Sequence, residues 1–311
     1  MPPSHPAGPP WLDAKLRAGG VVILDGGTGS ELEARGVPMH ERAWSATAAL
    51  SHPEALRGVH ADFLRAGAEV ITTNTFAAGR HALEPAGLGD DVATINRRAV
   101  AAAREAREEV AGGPVAIAGS ISEWVPDESS KWSDPAHHRA ALREQAELLA
   151  AAGVDLLAVE MAMRVEQAVP AVEEALATGL PVWVGCSCGR DPATGDLRTF
   201  HAPWRPFAEL VDAVASLEGV GAIHVMHSAV SDTAAGIDAV RARWDGPIGA
   251  YPESGEFAMP RWTFVEIAAS DLVAAARGWY DQGARLLGGC CGLGPDHVRA
   301  LAGGLRAWTT T

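Results

Sequence analysis

Two adjacent cysteines, Cys290 and Cys291, stand between pairs of glycines in the stretch RLLGGCCGLGP, residues 285 to 295. The chain has only four cysteines among its 311 residues. Both thiols can ligate one metal ion if the chain leaves a strand through a bend here, and the flanking glycines allow such a bend. Thiolates combined with an imidazole favour zinc, so we expect a zinc site that takes a further ligand from another segment.

The third ligand that we predict is His227, at the end of the run GAIHVMHS. His224 lies three residues earlier, and strand alternation points the two rings to opposite sides, so at most one should reach the site. A rival set adds Cys186 and Cys188, which would close a structural site of four cysteines. The plainer interpretations of these two are small buried thiols or, in a secreted protein, disulfides.

Eight short apolar runs, each followed by a helical pattern, must position these residues. Their continuous rather than alternating apolar character indicates strands buried on both faces, as in a parallel sheet. The runs are residues 21–27, 70–76, 114–120, 154–161, 180–187, 221–228, 247–254 and 285–291. Amphipathic segments lie between them, and several end in a glycine shortly before the next strand, as at Gly67 and Gly153. Eight strand–helix units predict a TIM (β/α)8 barrel, with a doubly wound sheet as the alternative.

A TIM barrel brings the carboxyl ends of all its strands to one face, which is where we expect the site. The residues at these ends are Asp25, Asn74, Ser120, Glu160, His227, Glu253, Cys290 and Cys291. Three long connections, 121–136, 188–206 and 253–270, follow strands and should cover the same face. Their tryptophans are Trp124, Trp132, Trp204 and Trp262. These rings could hold a cationic ligand by cation–π attraction, or they could pack as lids or as a contact between subunits of a homo-oligomer.

Composition excludes several classes of partner. A formal net charge of −14 argues against nucleic acid and against an anionic membrane surface. No apolar stretch approaches the roughly 20 residues that span a bilayer, and the start MPPSHPAGPP lacks the pattern of a signal peptide, so we expect a cytoplasmic protein.

We expect residues 1–19 to form a flexible tail and residues 20–311 a single barrel domain. The glycines after the first apolar run lack the G-x-G-x-x-G spacing of a dinucleotide loop.

Five successive motifs resemble those of the homocysteine S-methyltransferase family. They are LDGGTGSELEARG (24–36), LRAGAEVITTNTF (64–76), VDLLAVEMAMRVEQA (154–168), YPESGE (251–256) and GARLLGGCCGLGPDHV (283–298). The likeness covers roughly residues 20 to 307, and the GGCCG ending is its most specific part. The family includes betaine- and S-methylmethionine-dependent enzymes and the homocysteine domain of cobalamin-dependent methionine synthase.

The resemblance implies a zinc-dependent TIM barrel in which the metal activates a homocysteine sulfur for methyl transfer from an onium donor. Cys290 and Cys291 match the family's paired zinc ligands, and Glu160 matches a carboxylate that holds the amino group of homocysteine. Trp44 matches an aromatic residue that helps to form the donor pocket. Further matches near the bound substrate are Asp25, Gly26 and Gly27.

The sequence departs from the family's pattern at some of these positions. Where the family has G-V-N-C-T with a third zinc-binding cysteine, this chain has HVMHS, so His227 takes the place of a cysteine. Met161 stands where threonine is usual, and Glu253 replaces the asparagine of YPNSGE. Zinc with one histidine and two cysteinates is near neutral instead of −1, which would make a bound thiolate a weaker nucleophile.

These residues together predict an S-methyltransferase that moves a methyl group from a small sulfonium or quaternary-ammonium donor to a homocysteine-type thiol. The departures leave two alternatives open. One is a divergent metal-dependent enzyme that acts on a different thiol or onium compound. The other is a non-catalytic barrel that binds thiols or metal. No cobalamin- or folate-binding domain fits in the remaining sequence, so the donor should be small or delivered by another protein.

Overall fold

The computed structural model describes residues 5–110, 112–125, 131–200, 204–258, 260–265 and 267–309. The strands are β1 (Val22–Ile23), β2 (Val70–Thr72), β3 (Ala116–Ser122), β4 (Leu156–Ala162), β5 (Val182–Cys186), β6 (Cys188–Arg190), β7 (Leu197–Thr199), β8 (Val220–Ala229), β9 (Ile248–Glu253), β10 (Gly255–Ala258), β11 (Arg261–Phe264) and β12 (Leu286–Leu287). The helices are α1 (Pro10–Arg17), α2 (Thr28–Ala34), α3 (Ala48–Ser51), α4 (Pro53–Ala66), α5 (Arg80–Leu83), α6 (Val92–Val110), α7 (Pro135–Ala152), α8 (Val165–Leu176), α9 (Phe207–Ala215), α10 (Val230–Arg241), α11 (Ala269–Asp281) and α12 (Pro295–Thr309). Within these ranges no helix combines the length and the apolar character that a bilayer crossing requires.

Eight parallel strands form the wall of a barrel, in the order β1, β12, β9, β8, β5, β4, β3, β2. A parallel bridge between Leu24 and Val70 joins the two ends of this order. The closed wall confirms the predicted TIM barrel and excludes the doubly wound sheet. Each of the eight predicted apolar runs overlaps one barrel strand, because a strand covered on both faces needs apolar side chains in both directions.

The barrel wall separates two apolar cores. Side chains that point outward, such as Ile117 and Leu157, pack under the surrounding helices, whereas Leu156, Trp183 and Leu286 fill the barrel interior. Each such aliphatic side chain contributes about 1.5–3 kcal/mol when it is fully buried. The helices that cover the outside close as the sequence predicts: Gly67 ends α4 and Gly153 ends α7 with left-handed backbone at φ 110° and 87°.

The amino-terminal segment differs from the flexible tail that the sequence predicts for residues 1–19. Helix α1 buries Leu12 and Leu16 in the inner core, at the amino-terminal end of the barrel strands. The indole nitrogen of Trp183 donates a hydrogen bond to the carbonyl oxygen of Ala7 at 2.5 Å. The i, i+4 spacing of the two leucines gives this short helix one apolar face, which the prolines around it obscure in the sequence. Residues 1–4 lie outside the described residues.

Two of the three long connections contain antiparallel hairpins that the sequence analysis treats as loops. Strands β6 and β7 pair within 188–206, and β10 and β11 pair within 253–270. The connection 121–136 contains a short 3-10 helix at Lys131–Ser133. Residues 126–130, 201–203, 259 and 266 of the predicted lids lie outside the described ranges.

Three of the buried histidines, His60, His81 and His224, have strongly lowered pKa values. His60 lies on the inner face of α4, and neither of its ring nitrogens has a hydrogen-bond partner within the described part of the chain. Burial lowers the pKa of His60 to about 4. Burial likewise lowers the pKa of His81 and of His224 to about 3 each. All three rings are therefore neutral in the folded chain at neutral pH.

We expect the neutral buried ring of His60 to contribute a loss of stability as the pH drops from about 6.5 to about 4. The unfolded chain protonates this histidine near pH 6.5, whereas the folded chain resists its protonation until pH about 4. Between these values the ring costs about 1.4 kcal/mol of unfolding free energy per pH unit. In denaturant unfolding, the stability of His60→Leu relative to the wild type should therefore rise as the pH is lowered from 7.5 to 5.0.

The control for this measurement is Phe63→Leu, which changes a fully buried and non-titrating side chain on the same helix. It should lower the stability by a similar amount at both pH values. Equal pH slopes in wild type and His60→Leu would contradict the assignment of a neutral buried ring to His60.

Candidate active site and metal centre

A tight turn after β12 carries the paired cysteines. The backbone N–H of Cys290 donates to the carbonyl oxygen of Pro252 at 2.6 Å, and the N–H of Ser254 donates to the carbonyl oxygen of Cys291 at 2.9 Å. These bonds fix the turn to the end of β9. As a result the two sulfur atoms lie 3.9 Å apart on the same side of the chain.

The glycines of the first-strand motif make room for this turn. A Cβ atom on Gly27 would lie 2.7 Å from the carbonyl oxygen of Cys290 and 2.8 Å from Cα of Cys291. A Cβ atom on Gly26 would lie 2.1 Å from the carbonyl oxygen of Leu293. Both positions therefore require glycine because the backbone of the cysteine turn packs directly against them.

His227 faces the cysteines through an irregularity in β8. The register of β8 with β9 shifts between Met226 and Ala229, and His227 has a φ of 44°. Its Nδ1 lies 3.8 Å from Sγ of Cys290. One ligand atom from each of His227, Cys290 and Cys291 lies within 4.8 Å of the other two. The structure thus brings the three predicted metal ligands together, and two thiols with an imidazole are a donor set that suits zinc.

The other candidate ligands lie elsewhere. His224 points into the barrel below the site, where its ring stacks on Trp183 with centroids 5.1 Å apart, so only His227 reaches the mouth, as predicted. Cys186 and Cys188 are buried in the outer core and are free thiols. Their positions exclude a site of four cysteines and support small buried thiols.

Two buried carboxylates, Asp25 and Glu160, lie at the carboxyl ends of the first and fourth barrel strands. Asp25 accepts hydrogen bonds from the backbone N–H of Thr72 at 2.6 Å and from the hydroxyl of Tyr251 at 2.8 Å. Glu160 accepts a short hydrogen bond from the hydroxyl of Ser120. Burial raises the pKa of each carboxyl to about 7, against the hydrogen bonds that favour the charged forms. Such carboxylates are ready to accept a cationic group, because ion pairing would recover part of the cost of desolvation.

Two of the predicted binding residues, Ser120 and Asn74, hold other residues of the site in place through hydrogen bonds. Ser120 lies behind Glu160 and holds its carboxylate. The side chain of Asn74 donates to the carbonyl oxygen of Ser45 and accepts from its hydroxyl, both at 2.8 Å. Asn74 therefore lines the cavity while it fixes the loop that carries Trp44.

Glu253 lies next to the predicted metal ligands. Its Oε2 is 2.9 Å from Nδ1 of His227, and both side chains are 11% exposed. Burial alone would lower the pKa of His227, but the contacts with Cys290 and Glu253 outweigh it and raise the pKa to about 10. The neighbouring thiol of Cys291 and burial together raise the pKa of Cys290 well above its usual range. A bound cation would offset this crowding of electron-rich donor atoms.

A cavity of about 420 Å³ is lined both by the metal-ligand group and by Glu160, whereas Asp25 is not among its lining residues. Six aromatic residues form much of its wall: Trp44, Phe76, Trp124, Phe200, Tyr251 and Trp262. Trp124 and Trp262 are two of the four tryptophans predicted to wall a pocket. Trp132 instead packs against His137 outside the cavity, and Trp204 is 50% exposed.

Among the described residues, three other than glycine have positive φ, and all three line this cavity. They are Trp44 at 44°, Met161 at 57° and His227 at 44°. Such backbone costs roughly 1–3 kcal/mol per residue and persists where the surroundings impose it. At Met161 it coincides with a register shift in β4 between Val159 and Ala162. The irregular backbone turns these side chains towards the cavity, which strand alternation does not predict.

Sequence reasoning missed several lining residues. Phe76 follows the N-T pair at the end of the second apolar run, and Phe200 lies in a connection treated as a lid. Tyr251 stands in the YPESGE motif, but its role as the donor to Asp25 becomes visible only when β9 and β1 are placed together. Thr72, Met226 and Glu256 also line the cavity. Aromatic residues at strand ends were the one signal that could have identified Phe76.

The sequence profile of homocysteine S-methyltransferases matches residues 22–305 of this chain. The chain belongs to the homocysteine S-methyltransferase family. This membership makes it a methyltransferase and supports methyl transfer to homocysteine. The family's paired cysteines, first-strand glycines and strand-four carboxylate are the residues that the structure collects around the cavity.

Curated and solved relatives span nearly the whole chain. Mouse betaine–homocysteine S-methyltransferase 1 is 34% identical over 307 residues, covering 93% of this chain and 73% of the mouse protein. Homocysteine S-methyltransferase 4 of Zea mays is 30% identical, with 93% and 90% covered. The metallated form of the Escherichia coli homocysteine methyltransferase MmuM superposes with a TM-score of 0.78 at 26% identity, covering 94% of this chain and 99% of that one.

We expect Gly27→Ala to weaken zinc binding at least about tenfold, because the added methyl group must displace the backbone of Cys290 and Cys291. Gly58→Ala is the matched control, since its Cβ would meet only Arg35 at 3.7 Å. In the interior of α4 this control should keep wild-type zinc affinity and raise the unfolding free energy by about 0.5–1 kcal/mol. Competition with a chromophoric chelator gives the affinities, and equal values for the two variants would show that Gly27 does not support the cysteine turn.

Proposed function

We propose that this chain is a zinc-dependent S-methyltransferase that transfers a methyl group from a small sulfonium or quaternary-ammonium donor to a homocysteine-type thiol. The observation that carries the proposal is the convergence of His227, Cys290 and Cys291 on a cavity that the buried carboxylate of Glu160 also lines. A metal-bound sulfur and an ammonium group belong to opposite ends of the same small amino acid. The site therefore suits an acceptor of this kind.

In this proposal Glu160 binds the ammonium group of the acceptor. Its carboxylate lines the cavity, and the hydroxyl of Ser120 holds it in place. Asp25 lies beneath, where Thr72 and Tyr251 fix it, and adds negative potential to the floor of the cavity. Charge on the ammonium group would keep both carboxyls ionised, because a nearby cation lowers a raised carboxyl pKa.

The metal would be held by His227, Cys290 and Cys291, which supply one nitrogen and two sulfur ligands. Zinc bound there would lower the pKa of the acceptor thiol, about 8.5 for a free cysteine-like thiol, so that the sulfur is an ionised nucleophile at neutral pH. The protein residues fix where that sulfur lies. The acceptor is anchored at both ends, which limits its rotation before the reaction.

The aromatic wall suits the positive charge of the methyl donor. Phe76 contacts Trp44 edge to face with centroids 6.4 Å apart and stacks with Trp124 at 6.2 Å. Ring faces and edges of this kind attract an onium group by cation–π interaction. No lysine or arginine lines the cavity among the described residues, and the short segments outside them contain neither residue. A donor carboxylate would therefore find no lysine or arginine here, whereas a donor with net positive charge is favoured by Glu160, Glu253 and Glu256.

The reaction is a direct displacement at the methyl carbon. The acceptor thiol loses its proton to solvent, and its sulfur forms a bond to the methyl carbon while the bond between that carbon and the onium sulfur or nitrogen breaks. The bonding electron pair stays with the leaving atom, so the donor departs as a neutral thioether or tertiary amine. The cavity walls hold the three atoms in line and exclude water that would hydrate the sulfur.

We expect one zinc ion per wild-type chain, lost in the double variant Cys290→Ser/Cys291→Ser, because two of its three ligands are gone. Elemental analysis measures the stoichiometry, and X-ray absorption should show an additional sulfur neighbour when homocysteine is added. Cys188→Ala is the control, since this thiol is buried in the outer core and should leave the zinc content unchanged. Wild-type protein that stays metal-free after reconstitution would contradict the proposal.

We expect S-methylmethionine, with a net charge of +1, to be a better donor than zwitterionic glycine betaine by at least about tenfold in kcat/KM. The reason is the acidic lining, which among the described residues has no lysine or arginine. Mass spectrometry of the methylated acceptor gives the rates at matched donor concentrations. A preference for glycine betaine would contradict the charge argument, and the absence of turnover with every onium donor would support a barrel that only binds thiol or metal.

A further inference from the structure

A second and smaller cavity, of about 30 Å³, lies in the interior of the barrel. It shares four lining residues with the larger cavity: Thr72, Glu160, Met226 and Tyr251. The rest of its wall is mostly apolar, but His224 adds a further polar side chain. One water molecule needs about 10–15 Å³ of such space and roughly two to four polar partners. The smaller cavity is therefore large enough and polar enough for an ordered water.

His224 has a buried ring nitrogen that lacks a partner. The residue is 6% exposed, and its Nε2 has no hydrogen-bond partner among the described residues. The ring is neutral, so each of its nitrogens either donates or accepts one hydrogen bond. Because a buried polar atom without a hydrogen bond is unfavourable, a water molecule in the cavity next to the ring would stabilise it.

The barrel wall holds this ring in one place. The register partners of His224 are Gly185 in β5 and Gly249 in β9. A Cβ atom on Gly249 would lie 2.3 Å from Nδ1 of His224, so the ring lies directly over that glycine, and it also contacts Trp183. His224 stands where the family's pattern G-V-N-C-T begins with glycine. The ring is thus a feature of this chain that the pattern does not include.

Glu160 is the lining residue best able to accept a hydrogen bond from a water in this cavity. The hydroxyls of Thr72 and Tyr251 already donate to Asp25. Ser120 donates to Oε2 of Glu160, whereas a carboxylate accepts about four hydrogen bonds. A water molecule has two hydrogens, so it can donate one to Glu160 whether Nε2 of the histidine donates or accepts.

We infer that the smaller cavity binds an ordered water molecule that joins Nε2 of His224 to the carboxylate of Glu160. His224 is then a positioning residue for the ammonium group of the acceptor. The inference rests on the proposed function, in which Glu160 binds that group. The hydrogen bond from the water favours the ionised carboxylate and limits its rotation, so that it faces the larger cavity when the acceptor enters.

A crystal structure of the full chain at a resolution that shows ordered waters tests the site. We expect a water oxygen at about 2.7–3.2 Å from Nε2 of His224 and about 2.5–3.0 Å from an oxygen of Glu160. A cavity without water, or a water that bonds to His224 and not to Glu160, would overturn the inference and leave the proposed function standing.

Binding of two thiols to the zinc-loaded chain, measured by calorimetry without a methyl donor, tests the positioning role. The ligands are homocysteine and its desamino analogue, which keeps the thiol and the carboxylate but has no ammonium group. We expect His224→Leu to weaken homocysteine binding at least about fivefold and to leave binding of the analogue within about twofold of the wild type. The reason is that the water acts on the acceptor only through Glu160 and the ammonium group.

His60→Leu is the matched control, because it makes the same change at a buried neutral histidine that lines neither cavity. It should leave both affinities unchanged, whereas His224→Gln, which keeps a polar group, should recover part of the lost affinity. An equal loss for both thiols in His224→Leu would indicate a general disturbance of the barrel interior and would overturn the inference. A wild-type chain that binds the two thiols equally would overturn the role of Glu160 in the proposed function, and the inference with it.

Discussion

Two adjacent side chains cannot both face the axis of a barrel while the chain between them stays a strand, since successive side chains alternate. The pair Cys290 and Cys291 meets this constraint by leaving β12 after only two strand residues and turning immediately. The glycines that follow β1 leave room for the turn, and the end of β9 forms backbone hydrogen bonds with it. The backbone geometry of these segments therefore determines where the two thiols lie.

The same mouth concentrates conformational strain. The left-handed backbone at Trp44, Met161 and His227 lies at the cavity, next to the register shifts of β4 and β8. The closed sheet and its two cores supply the stability that keeps these residues in place. A further register shift, between Val182 and Trp183, lies at the amino-terminal end of β5 and involves no residue with positive φ.

The fold could be predicted from the sequence because the continuous apolar runs indicate strands that are buried on both faces, and the amphipathic segments indicate the helices that cover them. The ring of strand-end residues followed from the fold, and the structure places His227, Cys290 and Cys291 together as that reasoning suggests. The contact of Glu253 with His227 could not be predicted, because it depends on a register shift in β8 that no residue pattern marks. The hairpins and the short helix α1 could not be predicted for a related reason. Such short strands and an eight-residue helix contain too few repeats of the hydrophobic pattern for the pattern to be recognised.

Helix α1 plugs the barrel at the end opposite the site, with Leu12 and Leu16 against the inner core and Trp183 tied to Ala7. Leu12 and Leu16 are themselves buried, so the inner core is closed at this end of the barrel. The cavity at the other end is lined by Glu160, Cys290 and Cys291 together with the aromatic residues. The segment that precedes the first strand is therefore part of the inner core, and a barrel without it would expose apolar side chains of that core to water.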